Sequence, residues 1–166
     1  LQYLVVAANQ ERKYLKETFD GIRLFREKNP QVPVQLYLHT HLRQGGEREL
    51  DIELHESGLS DCTRVVDQYI LAVGGLSEPE MARMFACADV VMDVCLEGFG
   101  YAQLQAQAVG VPAITLSEGP GLEIVQYGAA VPVHHIDRNR VTQKPVPDPA
   151  DIANALADIC EKAGPP

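Results

Sequence analysis

EGFGYAQLQAQAVGVPAITLSEGPGLE, residues Glu97 to Glu123, is the stretch whose reading decides the fold. It follows an apolar segment, Asp89–Cys95, and opens with the glycine-flanked turn Gly98-Phe99-Gly100. Good helix formers fill Tyr101–Val109, and Gly110 stops them. A short apolar strand, Val111–Leu116, comes next, and a second turn, Gly119-Pro120-Gly121, leads into a helical Leu122–Tyr127. Strand, glycine turn, helix, strand, glycine turn, helix is the layout of an open α/β sheet that takes a ligand at its strand C-termini. Glycines let the backbone approach such a ligand, and helix N-termini offer unpaired N–H groups to an anion.

The same alternation extends in both directions. Tyr3–Ala8 is almost wholly apolar and suits a central parallel strand buried on both faces. A polar turn, Asn9–Lys13, precedes a helix with Leu15, Phe19 and Ile22 on one face, ended by Asn29-Pro30. Val34–His39 predicts the second strand, Thr40–Gly46 a polar loop, and Arg48–Glu56 a short helix with Leu50 and Leu54 inward. Val65–Val66 and Tyr69–Val73 read as a third strand region with a bend at Asp67-Gln68. Ser77-x-x-Glu80 is a capping box opening a helix whose Met81 and Met84 fall at core spacing. Asp89–Cys95 and Ala129–Val133 supply further strands. His134–Val146 reads as polar and irregular, with Arg138, Arg140 and Lys144 its basic cluster. Asp148-Pro149 caps a last amphipathic helix through Ile152, Leu156 and Ile159. The expected class is α/β, a doubly wound, Rossmann-like parallel sheet of about six strands in one domain spanning residues 1–166.

Composition narrows the function. The net charge of −9 argues against nucleic acid and against a basic membrane-facing surface, so membrane contact is not indicated. No apolar run is long enough to span a bilayer. Cys62, Cys87, Cys95 and Cys160 lack the paired spacing of a metal or redox site, and three of them sit in apolar segments. Buried, reduced thiols in a cytoplasmic setting are expected. His134 and His135 have no cysteine or carboxylate at ligand spacing, so no metal site is expected there. The chain opens within two residues of a strand, which suggests a fragment of a longer protein.

Glu97-Gly-Phe-Gly with Gln105, then Gly110-x-Pro112-x-Ile114, then Gly121-x-Glu123-Ile-Val, resembles the donor-site signature of retaining GT-B glycosyltransferases of group 1, or family 4. The likeness runs from Val5 to about Cys160. It implies a C-terminal, donor-binding domain whose N-terminal acceptor domain lies outside this chain. A nucleotide diphosphate sugar would be the donor substrate, with no cofactor and no metal; the lack of an Asp-x-Asp motif fits that. The full-length protein would be a hexosyltransferase-type enzyme, and the isolated domain would bind donor without transferring. Two alternatives stand beside this reading: a degenerate, non-catalytic domain kept for assembly, and a nucleotide-sugar epimerase-like GT-B enzyme.

The resemblance also assigns residues. Glu97 matches the glutamate that contacts donor-sugar hydroxyls, and Lys13 the lysine that contacts the diphosphate; these two are the catalytic candidates. The usual arginine of that loop falls on Ala8, leaving Arg12 as a substitute from a different starting point. Gly98 and Gly100 would admit sugar and phosphate, with the N–H groups near Tyr101 facing the diphosphate. Gln105 stands where the family has a ribose-binding glutamate, and a neutral amide gives one acceptor and one donor group in its place. Glu123 serves either the donor or its own helix dipole. Phe99 reads as a packing residue that fixes the turn. His39, Thr40 and His41 end the second strand on the ligand side.

Overall fold

The computed structural model describes residues 1–43, 49–137 and 144–163. Six parallel strands form one sheet in the order β3-β2-β1-β4-β5-β6. They are β1 (Gln2–Val6), β2 (Gln35–His39), β3 (Thr63–Val65), β4 (Val90–Met92), β5 (Ala113–Leu116) and β6 (Gly128–Val131). The helices are α1 (Leu15–Lys28), α2 (Leu50–Glu56), α3 (Gln68–Ala72), α4 (Glu78–Ala86), α5 (Tyr101–Ala108), α6 (Gly121–Ile124) and α7 (Pro149–Ala163). β1 pairs with β2 from Gln2↔Gln35 to Val6↔His39, and with β4 through Tyr3↔Val90 and Leu4↔Val91. The order of strands reverses between β1 and β4. Their carboxyl ends therefore flank the crevice in which open α/β sheets hold ligands.

The apolar run of β1 is explained by burial on both faces. Tyr3 and Val5 join Phe19, Ile22 and Phe25 of α1 and Ile152 and Leu156 of α7 in one layer. Leu4 points the other way, into a cluster with Phe85 of α4 and Ala106 of α5. The same alternation holds in β4, where Val90 and Met92 face the first layer and Val91 the second. Each fully buried side chain of this size contributes roughly 1.5–3 kcal/mol. At the centre of the first layer α1 and α7 pack in close contact.

Three expectations need correction. The run Tyr69–Val73 is the helix α3, not a strand. Asp67 caps it by accepting the Tyr69 N–H at 2.8 Å, and Tyr69 and Val73 are exposed. The segment after β6 is not irregular, since β7 (Val133–Asp137) and β8 (Lys144–Pro147) pair antiparallel as a separate ribbon. His134 Nε2 lies 3.0 Å from Asp151 of α7, and Lys144 lies 3.9 Å from Glu11, so polar contacts tie the ribbon to the body. Of the cysteines only Cys95 is buried, and Cys87 is exposed. The capping box at Ser77 forms as read, with Glu80 accepting the Ser77 N–H at 2.8 Å. Arg138 and Arg140, and residues 44–48 of the loop and helix start read after β2, lie outside the described residues.

Candidate functional site

A cleft of about 490 Å³ opens at the carboxyl ends of β1 and β4. Ala8, Arg12, Lys13, His39, Asp93 and Glu97 line it. A second cavity of similar volume lies at the opposite edge of the sheet, among Leu1, Ala88, Pro112, Tyr127 and Leu156. Ligands of open α/β sheets collect at the carboxyl edge, and the charged groups converge there, so the first cleft is the candidate.

Two loops build it. After β1 the chain makes a single 3₁₀ turn, Glu11–Lys13, and then reverses at Tyr14, whose backbone is left-handed (φ 45°). A bulky residue held in that region is a sign of a constrained, functional loop. The loop after β4 is stapled to this turn. Leu96 N–H donates to the Arg12 carbonyl at 3.3 Å, and Arg12 Nη1 donates to the Leu96 carbonyl at 3.1 Å. Glu97, the next residue, is thereby held beside both cations. Its Oε2 lies 3.1 Å from Arg12 Nη1, and its Oε1 accepts from Lys13 Nζ.

Lys13 is the pivot of the site. Though a lysine, it is only 7 % exposed. Its ammonium lies 3.6 Å from Asp93 Oδ1 and 3.6 Å from Cys95 Sγ, besides its pair with Glu97. Asp93 is itself buried and accepts the Cys95 thiol proton at 2.7 Å. Burial, then the charge of Asp93, pushes the Cys95 thiol well above its ordinary range, so it is a neutral donor and not a nucleophile. Asp93, Cys95 and Glu97 bring three ligand-type atoms within 4.8 Å of one another. The Lys13 ammonium already stands among them, and a divalent cation would have to share that space with a like charge.

The remaining sequence-predicted residues divide. Gly98, Gly100, Tyr101 and Gln105 line the same cleft as Lys13 and Glu97. Gly100 is buried and left-handed (φ 80°) at the start of α5, and Tyr101 is 71 % exposed on the rim. Glu123 is exposed in the first turn of α6 and is not among the cleft residues. Phe99 is not a packing residue: it is half exposed in the cleft wall, its ring 5.0 Å from that of Tyr101. His39 also faces the cleft, and burial, with the nearby His41 second, lowers its pKa.

Two residues went unread in the sequence. Asp93 interrupts an apolar run, and a carboxylate buried there needs a cation, the signal by which it could have been found. Gln103 is 1 % exposed and bridges the two glycine turns. Its Nε2 donates to Thr115 Oγ1 at 2.9 Å and lies 3.3 Å from the Asp93 carbonyl. A Cβ on Gly121 would sit 2.2 Å from Thr115 Oγ1 and 3.1 Å from the Gln103 amide, so the second glycine turn closes directly onto this pair. Gln107, one turn on, donates to the Ile124 carbonyl and accepts the N–H groups of Gln126 and Tyr127. Gln103 and Gln107 thus face inward as an i, i+4 pair, and Gln105 between them faces out into the cleft.

Comparison with known proteins bears on family and fold. The family model for glycosyl transferases group 1 matches residues 5–162. Curated protein sequences give no match. Among solved structures, Anabaena Alr3699/HepE in complex with UDP and glucose superposes with a TM-score of 0.68 at 17% identity, covering 98% of this chain and 39% of that one. The C-terminal domain of a group 1 family glycosyl transferase, LpcC, from Francisella tularensis gives 0.67 at 16% identity, covering 95% and 74%. The lipopolysaccharide outer core galactosyltransferase WaaB gives 0.67 at 15%, covering 98% and 40%. At such identities the likeness is one of fold, and the chain spans about two-fifths of the length of HepE and WaaB. Among the described residues no helix is long and apolar enough to cross a membrane. With the family model matching it over nearly its whole length, this chain belongs to the group 1 glycosyl transferases.

Proposed function

We propose that this domain binds a nucleoside diphosphate sugar in the cleft between β1 and β4, and that with a second, acceptor-binding domain it transfers a hexose with retention, as a family 4 enzyme of the cytoplasm. The observation that carries the reading is the meeting of Lys13 and Arg12 with Glu97 at the switch point of the sheet. Cations from the loop after β1 lie where a diphosphate would gather negative charge on leaving, and charge stabilisation there is the main demand of the reaction. Glu97 is the acceptor for sugar hydroxyls. Gly98, Gly100 and the N–H groups at the start of α5 take the phosphates, and Gln105 faces the ribose. HepE has been seen with UDP and glucose, which makes UDP-glucose the first donor to try. Calorimetric titration of the chain with UDP-, GDP- and ADP-sugars tests the reading, and binding of none of them overturns it.

Ala8 and Gln105 support a second reading, a domain that keeps the fold for assembly and has lost its donor. Substitution at Gln105 separates the two. Gln105→Glu restores a charged acceptor, and charge-assisted hydrogen bonds are about twice as strong as neutral ones, so nucleotide affinity should rise by about 1 kcal/mol. An unchanged affinity in both Gln105→Glu and Gln105→Ala would place ribose recognition elsewhere.

The reading also assigns no role to metal. The positive charge comes from Lys13, Arg12 and helix N-termini, so donor affinity measured in EDTA should equal that in magnesium or manganese. A loss in EDTA that either ion restores would instead seat a cation among Asp93, Cys95 and Glu97, with Lys13 displaced.

A further inference from the structure

Both cations of the cleft are already neutralised. Arg12 and Lys13 face Glu97 and Asp93, two positive groups against two negative, so the place meant for a diphosphate carries no net charge from these four. The two carboxylates differ in freedom. Asp93 is 2 % exposed at its side chain, buried beneath Lys13 and held by Cys95. Glu97 is 25 % exposed and holds Lys13 with one oxygen and Arg12 with the other. Glu97 occupies the donors that phosphate oxygens would need.

We propose that Glu97 is an internal stand-in for the diphosphate, displaced from Arg12 and Lys13 when donor binds, and that this exchange makes the site prefer the nucleotide sugar over the nucleotide left after transfer. The inference rests on the donor-binding reading above. A nucleoside diphosphate alone must break two charge-assisted contacts of Glu97 and offers the freed carboxylate nothing in return. A nucleotide sugar breaks the same contacts and presents hydroxyls that the carboxylate then accepts. Once the sugar has left, Glu97 loses those hydroxyls and returns to its cations, so the product is expelled by the residue that held the substrate. Asp93 stays in place throughout and keeps Lys13 positioned.

The test is calorimetry of wild type, Glu97→Gln and Glu97→Ala with UDP, GDP and ADP and with their glucose conjugates, read as the ratio of affinities within each pair. Removing the internal anion should tighten the free nucleotide diphosphate about tenfold. The conjugate should gain less, or lose, so the preference for it collapses. If wild type binds a pair and Glu97→Gln leaves the free nucleotide no tighter, the exchange is wrong and donor binding stands. If wild type binds no member of any pair, donor binding itself is wrong. A second readout needs no variant: the ¹³C resonance of the Glu97 carboxylate in wild type should move on adding the free nucleotide. A resonance that stays still at saturation overturns the exchange.

Discussion

Lys13→Met is expected to lower the unfolding free energy by about 3 kcal/mol and to abolish nucleotide diphosphate binding, through two separable causes. The first is Asp93. Its carboxylate is 2 % exposed and its counter-ion is the Lys13 ammonium 3.6 Å away, so methionine leaves a buried charge whose remaining partner is the Cys95 thiol. Breaking a buried pair from one side costs far more than the pair itself contributes, because the stranded charge keeps its desolvation penalty. Adding Asp93→Asn removes that charge while keeping an acceptor for Cys95. The double variant should therefore recover most of the stability in denaturant titration. It should not recover binding, since the cation toward the cleft is still missing. A double variant as unstable as Lys13→Met would show that the loss came from the packing of the lysine stem.

Among the described glycines, Gly128→Ala should be the most damaging substitution. Gly128 begins β6 opposite Ala113, with φ at 148°, and a Cβ built there falls 1.8 Å from the Ala113 carbonyl oxygen and 2.8 Å from its nitrogen. These are backbone atoms of a central strand, which no rotamer change can move aside. To admit the methyl, β6 must leave β5 and expose Ile114, Leu116 and Val131, all of them fully buried. A cost of about 3–5 kcal/mol follows from overpacking and the strained φ together. For a domain of this size that lowers the melting temperature by on the order of 10 °C, read by circular dichroism. A shift of a degree or two would mean that β6 adjusts without unpairing.

Where the sequence was legible, local pattern and tertiary environment agreed. β1, β4 and β5 are apolar runs because the sheet buries them on both sides, and α1 and α7 carry the stripe that meets it. The Gly-Phe-Gly turn announced α5, and the residues that the resemblance assigned at Lys13 and Glu97 meet in one cleft. Legibility failed where the deciding partner was distant or lacking. Tyr69–Val73 has the residue types of a strand, yet after Asp67 its backbone closes on itself as a helix, with its side chains partly or largely exposed. β7 and β8 pair across residues 138–143, and neither shows the apolar alternation of a half-buried strand. Gln103, Gln105 and Gln107 are identical in the sequence, and only the turn of α5 assigns the first to the interior, the third to the backbone after α6 and the second to the cleft. Asp93 was hidden because its neighbours are apolar and the lysine that accounts for it lies 80 positions earlier.

The packing of α7 on α1 has a consequence for how the protein is made. Gly21 and Ile152 touch so closely that a methyl on Gly21 would stand 2.6 Å from the isoleucine Cβ, yet about 130 residues separate them along the chain. A ribosome adds roughly 5–20 residues per second, so the face of α1 that receives α7 waits on the order of ten seconds for its cover. Phe19, Ile22 and Phe25 lie in the layer that α7 completes, which leaves the nascent domain sticky until nearly all of it has been translated.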